Sequence, residues 1–356
     1  MKMKYFKKVS SVLLSLALLG MFLVGCGGDT PAAEGDDTTP DNSSSGTAAV
    51  GSPKEIVLGH VYSESHDMNK ACIEFKEYVE EQSGGSITVN IQANSVLGGD
   101  EDMIEMCAIG TVTMMVPSTA TLEMYSSQWS ICSLPYLYNN VQDMYAALDG
   151  DLGDFLKDTL SDTEYICLGF NSNGTRNMSN NVRPITKVED LKGIKMRVMN
   201  SPTYVTWMNA LGANATPMGF NEVFTGLQQG TVDGQENSPS MTYEAKFQEV
   251  QKYYSITEHV FDMNAIICNR DFYEGLNDEE KAIIDYAMEE FMVKHQRQMD
   301  LDANDHYIGL IEDSGTEINY LDDSAKDGFR EALQGVYADS RANLGDAIWG
   351  LVEKYQ

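Results

Sequence analysis

The feature that most restricts this chain is the way two periodicities take turns along it. Glu55-Ile56-Val57-Leu58-Gly59-His60-Val61 reads as a buried strand, and Met68, Ala71, Cys72, Phe75 and Val79 follow at the three-to-four spacing of an amphipathic helix. Gly84-Gly85 end that helix, after which Ile87, Val89 and Ile91 alternate as a second strand. Leu97-Gly98-Gly99-Asp100 reads as a turn and N-cap ahead of a helix carrying Met103, Ile104, Met106 and Cys107. The rhythm continues through Tyr165–Phe170, Lys192–Met199, Pro202–Leu211 and Asn221–Gln229. A long helix is expected from Asp278 to about Asp300, with Ile284, Ala287, Met288, Phe291 and Met292 on one stripe. Strands joined through helices form sheets that helices cover, so the body is predicted to be α/β. No internal repeat is visible.

Two segments of different character precede this body. Lys2, Lys4, Lys7 and Lys8 stand before an apolar run from Val12 to Val24, a secretory pattern too short to span a membrane comfortably. Leu23-Val24-Gly25-Cys26 resembles a bacterial lipobox, in which small residues before a cysteine allow its lipidation and cleavage. Residues 27–52 are rich in Gly, Ser, Thr, Pro, Asp and Ala, with Val50 the one large aliphatic side chain. Such a stretch cannot bury enough surface to offset its ordering entropy. Residues 1–25 are therefore expected to be a lipoprotein signal peptide. Residues 26–52 are expected to be a disordered tether anchored through lipid on Cys26, holding the body at the outer face of a membrane.

Charge narrows the partners. Of the 24 Lys and Arg residues, the four lysines of the leader drop out, leaving 20 against 54 acidic residues in the rest of the chain. Nucleic acid and anionic lipid surfaces both need basic patches, so neither is expected as a partner. Cys72, Cys107, Cys132, Cys167 and Cys268 are scattered without a CxxC pair, a poor disulfide framework despite export. The five histidines lack metal-ligand spacing, and no GxSxG elbow, Walker loop or GxGxxG is present. No metal or cofactor is expected, and nothing marks an enzyme.

Basic residues are nevertheless concentrated in one place. Arg176, Arg183, Lys187, Lys192, Lys195 and Arg197 lie between Asn171 and Asn200, against only Glu189 and Asp190. Salt screens exposed charges beyond roughly 8 Å, so capture of an anion by so acidic a chain would depend on local cations in a cleft. There an arginine can fork two N–H groups onto a carboxylate. Periodicity alone, however, places Lys195 and Arg197 together on the solvated face of a strand.

Longer motifs carry a family likeness. Asp190-Leu191-Lys192-Gly193-Ile194-Lys195-Met196-Arg197-Val198 resembles the DLKGxKxRV core of the solute receptors of tripartite ATP-independent periplasmic (TRAP) transporters. Leu211-Gly212-Ala213, Pro217–Val223 and Leu227-Gln228-Gln229-Gly230 follow in family order, and Asp233-Gly234-Gln235-Glu236-Asn237 is similar to its DGQEN signature. Gln92–Asp100 and Leu134-Pro135-Tyr136 resemble its LGGD and LPY segments. The likeness runs from Ile56 to about Arg297.

The resemblance implies a two-lobe, type II-like periplasmic-binding-protein fold with a hinged cleft and a long helix shared by both lobes. Lobe I would take residues 53–173 and 263–302, and lobe II 174–262 and 303–356. It implies a small organic acid as ligand and separate membrane permease subunits as partners. Arg197 matches the position whose guanidinium pairs with the ligand's carboxylate, and Arg176 a second arginine supporting it. Asn237 and Asn200 match polar contacts, and Phe220 an aromatic that packs on the ligand. Ser118 stands where the family often has a charged or polar pocket residue, a departure that leaves the ligand's far end unspecified. A receptor feeding a sensor kinase would share this fold, and a secreted hydrolase is a further alternative.

Overall fold

Among the described residues nine strands form one sheet. The computed structural model describes residues 53–356; the expected signal peptide, Cys26 and the expected tether lie outside the described residues. Strands β1 (Lys54–Gly59), β2 (Ile87–Gln92) and β3 (Met114–Met115) run parallel, with β1 in the middle. Strands β5 (Lys195–Val198), β6 (Asn214–Pro217) and β7 (Gly234–Asn237) form a second parallel set, with β5 in the middle. The long strands β4 (Tyr165–Asn180) and β8 (Tyr253–Asn269) pair antiparallel and join the two sets. β3 adds to the end of β8 at Ile267 and Cys268, and β7 to the far end of β4 at Asn177–Asn180. β9 (Glu317–Tyr320) extends the sheet on the other end of β8.

The middle of β4 and β8 is irregular. Register shifts fall between Ser172 and Gly174 and between Arg176 and Met178, opposite Asp262 and Val260. Gly174 sits there at φ +83°, where a Cβ would also run into Ser238. Only glycine takes that backbone conformation without steric cost.

Helices cover the sheet as the apolar spacing predicts. The helix Asp67–Gln82 buries Met68, Ala71, Cys72, Phe75 and Val79. In the turn before the helix Asp100–Ala108, Gly98 adopts φ +103° and the cap is Gly99 rather than the expected Asp100. The Gly99 N–H donates to the Asp102 carboxylate at 2.9 Å, which makes Asp100 the first helical residue. Among the described residues, Cys72, Cys107, Cys132, Cys167 and Cys268 are buried, and no disulfide joins them.

The long helix departs from its expected form. It runs as an α-helix over Asp278–Ala287, widens into a π-helix over Met288–His295, and continues as an α-helix over Gln296–Asp313. The wider turn brings Gln296 onto β4, where it accepts from Ser172 N at 2.8 Å and donates to Ser172 O at 3.0 Å. Near the other end, Tyr307 Oη donates to Glu244 at 3.0 Å, so the helix touches both parallel sets' surroundings. The tail returns to the first set: Tyr337 Oη donates to Pro135 O and Gln356 Nε2 to Leu137 O, each at 2.8 Å.

Candidate functional site

The two parallel sets run in opposite senses, because β3 and β7 pair antiparallel to β8 and β4 respectively. Their carboxyl ends therefore face one another across the irregular middle of the long strands. Ligands of open α/β sheets bind in the crevice at such carboxyl ends. A small cavity lies there. Val61 and Tyr62 follow β1, Asp100 and Glu101 follow β2, and Ser118 and Thr121 follow β3. From the opposite side come Met199 and Asn200 after β5, Phe220 after β6, and Asn237 and Met241 at and after β7. Asn173 and Arg176 reach in from β4.

All six ligand-site residues expected from sequence line this one cavity. Arg197 is 2% exposed, not on a solvated face. Alternation along β5 is real, with Lys195 outside, but the face opposite the core is closed over by the cavity walls. The guanidinium is held by its Nε and Nη2, which both donate to the Met218 carbonyl, while its buried Nη1 has no protein partner. Burial lowers its pKa to about 10, which still leaves it cationic at neutral pH.

Arg176 is 1% exposed and differently placed. Its Nε donates to Glu236 Oε2; its Nη2 donates to Glu236 Oε1 at 2.8 Å and to the Glu236 carbonyl at 2.6 Å. Nη1 donates to Asp262 Oδ2 at 2.7 Å and to Asn237 Oδ1 at 3.2 Å. These five contacts occupy the five N–H groups of a guanidinium. Burial works against the Glu236 charge, but Arg176 and His259 outweigh it and hold that carboxyl below its usual range. Asp262 is pushed up by burial despite Arg176, with Glu236 adding to the rise. Arg176 therefore fixes Glu236 and Asn237 in place and has no donor left over.

Asn237 spends its Oδ1 on Arg176 and on Ser238 N, which leaves its Nδ2 for a ligand. Asn200 Nδ2 donates to Glu101 Oε1 at 2.8 Å across the cavity mouth. Phe220 is half-buried, its ring 5.7 Å from Phe247, so it belongs to a small core cluster and to the cavity wall at once. Ser118 Oγ donates to Asp262 Oδ1 at 3.1 Å.

The sequence reading missed Asp100, Glu236 and Asp262. Asp100 ends the Leu97-Gly98-Gly99-Asp100 block and Glu236 lies inside the Asp233–Asn237 block, so both stood in motifs whose other residues drew attention. Asp262 has no local signal; only its pairing opposite Gly174 brings it in. Asp100 Oδ2 accepts from Ser118 N at 3.2 Å, while Oδ1 is shut off from solvent without a partner. Burial, with Glu101 adding, pushes its pKa up to about 7.

Residues 58–343 match the family described as bacterial extracellular solute-binding protein, family 7. The C4-dicarboxylate-binding periplasmic protein DctP of Rhodobacter capsulatus is 30% identical over 299 residues, covering 83% of this chain and 89% of that one. The sugar acid binding protein DctPAm of Advenella mimigardefordensis, solved with galactonate, superimposes with a TM-score of 0.82 at 29% identity over 85% of this chain and 99% of that one. A TRAP periplasmic solute binding protein of Shewanella oneidensis, solved with succinate, gives 0.82 at 27% identity, again over 85% and 99%. With a match spanning most of the chain and a cavity at the meeting point of two parallel sets, this protein belongs to family 7 of the bacterial extracellular solute-binding proteins, the receptors of TRAP transporters.

Proposed function

We propose that this receptor captures a small organic acid by its carboxylate, and the observation that carries the reading is the unpartnered, buried Nη1 of Arg197 in the cavity. With Nε and one Nη2 hydrogen pinned on Met218, Nη1 and the second Nη2 hydrogen form the outer edge of the guanidinium. That edge matches the two oxygens of a carboxylate. Asn237 Nδ2 supplies a further donor, and Arg176 supports the carboxylate by holding Asn237. Phe220 packs on the ligand, and Asn200 and Ser118 contact it at the rim and floor. In this reading the ligand is bound and released unchanged.

Lobe I comprises 53–173 and 263–302, and lobe II 174–262 with 303–333; the crossings fall in the irregular middle of β4 and β8. We assign the tail 334–356, expected in lobe II, to lobe I because it bonds Pro135, Leu137 and Asp151. Glu101–Asn200, Glu123–Thr203 and Ser63–Glu244 hydrogen bonds join the lobes, which is the pattern of a closed cleft. The lipid on Cys26 would keep the receptor at the outer membrane face, where the closed form docks on permease membrane subunits. Calorimetry with a panel of carboxylic acids tests the reading. One-to-one binding of at least one acid without turnover is expected, and binding only of uncharged solutes would overturn it.

A further inference from the structure

The cavity holds two unmet polar atoms of opposite kind. Arg197 Nη1 is a buried donor without a partner, and Asp100 Oδ1 is a buried acceptor without one. A buried polar atom left unpaired is costly, so a ligand that supplies both partners gains most. The positive side of the cavity is also smaller than two arginines suggest. Among the described lining residues the cations are Arg176 and Arg197. Arg176 is offset by Glu236 and Asp262, which it contacts directly. Arg197 alone remains for an anion, and Asp100 and Glu101 face the same space. A second carboxylate on the ligand would meet these acids, not a second cation.

What suits Asp100 is a hydrogen-bond donor. An ammonium group only donates, whereas a hydroxyl donates to Asp100 Oδ1 and still accepts from a group such as Asn237 Nδ2. The remaining polar lining is neutral, with Ser118, Thr121, Asn173 and Asn200 offering both donors and acceptors. Relatives solved with galactonate and with succinate are about equally similar, so likeness does not choose between these ligand types. The cavity's own charges do. Resting on the carboxylate reading above, we propose that Asp100 sets the ligand class, selecting a polyhydroxylated monocarboxylic acid of the aldonic or uronic kind over a dicarboxylic acid.

Calorimetry at pH 8 on the purified protein would compare D-gluconate, D-glucuronate, succinate, butyrate and 4-aminobutyrate. At least one of the two hydroxy acids should bind about 100-fold more tightly than succinate or butyrate, the order expected when a site built for hydroxyls meets a like charge or no donor. Asp100→Asn keeps the shape and the Ser118 contact but halves the acceptor capacity. It should cost the hydroxy acid roughly tenfold or more and narrow its margin over succinate, as loss of a charged hydrogen bond does. Succinate or 4-aminobutyrate binding as tightly as the hydroxy acids, or a margin unchanged by Asp100→Asn, would overturn the proposal while leaving carboxylate capture intact. If none of the five binds to the wild-type protein, the proposal falls, and the wider panel of carboxylic acids decides carboxylate capture by itself.

Discussion

The Met218 carbonyl receives two hydrogen bonds from Arg197, from Nε at 2.9 Å and from Nη2 at 2.7 Å. This contact orients the guanidinium without consuming its outer edge. Arg197→Ala should therefore remove the strongest contact available to a bound carboxylate. Truncating one member of a buried charged pair costs on the order of 2–5 kcal/mol, or about 30-fold to several-thousand-fold in affinity. Arg197→Lys retains the charge without the fork and should recover only part of the loss. Arg183 bonds the Asp190 carbonyl at 2.9 Å away from the cavity, so Arg183→Ala serves as the control. Equal losses for Arg183→Ala and Arg197→Ala in calorimetry would mean that diffuse charge, not the clamp, holds the ligand.

Glu236 is fully buried and paired with Arg176 through both carboxylate oxygens. Glu236→Gln leaves Arg176 with Asp262 as its one charged partner and should cost about 3–5 kcal/mol of stability, as breaking a buried pair does. The folded state holds the Glu236 carboxyl below its usual range. Its contribution is thus present above the unfolded carboxyl's pKa and is lost as pH falls through the depressed folded value. Urea titrations should show a wide gap between wild type and Glu236→Gln at pH 7 that narrows in acid. A gap that widens in acid would contradict the assignment.

Asp100 shifts the opposite way. Folded, it keeps its proton up to about pH 7; unfolded, it releases it near pH 4, the ordinary carboxylate range. Between these values folding must hold a proton or bury a charge, so stability falls as pH rises across that window. Asp100→Asn carries no charge at any pH and should melt at a higher temperature than wild type at pH 8, with the gain gone near pH 4. Stability gained at the expense of ligand recognition is common at binding sites. A melting temperature lowered at pH 8 would show that folding stabilises the ionised form of Asp100.

The expected processing can be read at the terminus. Mass spectrometry of the native protein should find a lipid-modified N-terminus at Cys26, and an unmodified terminus at another residue would rule the anchor out. Cys26→Ser should yield a soluble body with unchanged ligand affinity, because the described fold begins at residue 53.

The parts of the fold written in local patterns were legible in the sequence. The helix Asp67–Gln82 and strands β1, β2 and β5 follow from side-chain spacing alone. The lengths of β4 and β8 were not, because the centre of β4 carries Asn, Ser, Gly and Arg, and that of β8 Glu, His, Asp and Asn, in place of alternating apolar residues. Most of those polar positions are strand because they pair across the sheet, and Asn173 and Arg176 among them face the cavity. Arg197 shows the same limit at the site: its spacing matched a solvated face, and the Met218 carbonyl and the cavity walls around it make that face buried. Asp262 owes its place to a register shift, which no short window of sequence encodes. The π-helical stretch was missed because a helical stripe of Met and Phe residues fits either winding.

Glu123 offers a test of closure. Its carboxylate accepts from Ser201 Oγ, from Thr203 N at 3.2 Å and from Thr203 Oγ1 at 2.7 Å, at the start of the helix Pro202–Ala210. Glu123 follows β3 in the proposed lobe I, and the helix belongs to the proposed lobe II, so these bonds exist only when the cleft is shut. None of these groups lines the cavity. Glu123→Ala should leave the binding groups intact and shift the population toward the open form, a hinge motion of the kind that serves ligand capture. Apparent affinity falls in proportion to the competent fraction. Loss of two or three hydrogen bonds to a charged group, partly regained from water, should weaken binding about tenfold, mainly through faster release. Small-angle scattering should show the ligand-free variant more extended than wild type, and saturating ligand should bring the two profiles together. An unchanged profile with unchanged release would mean that Glu123 merely caps the helix and that closure is held by the ligand alone.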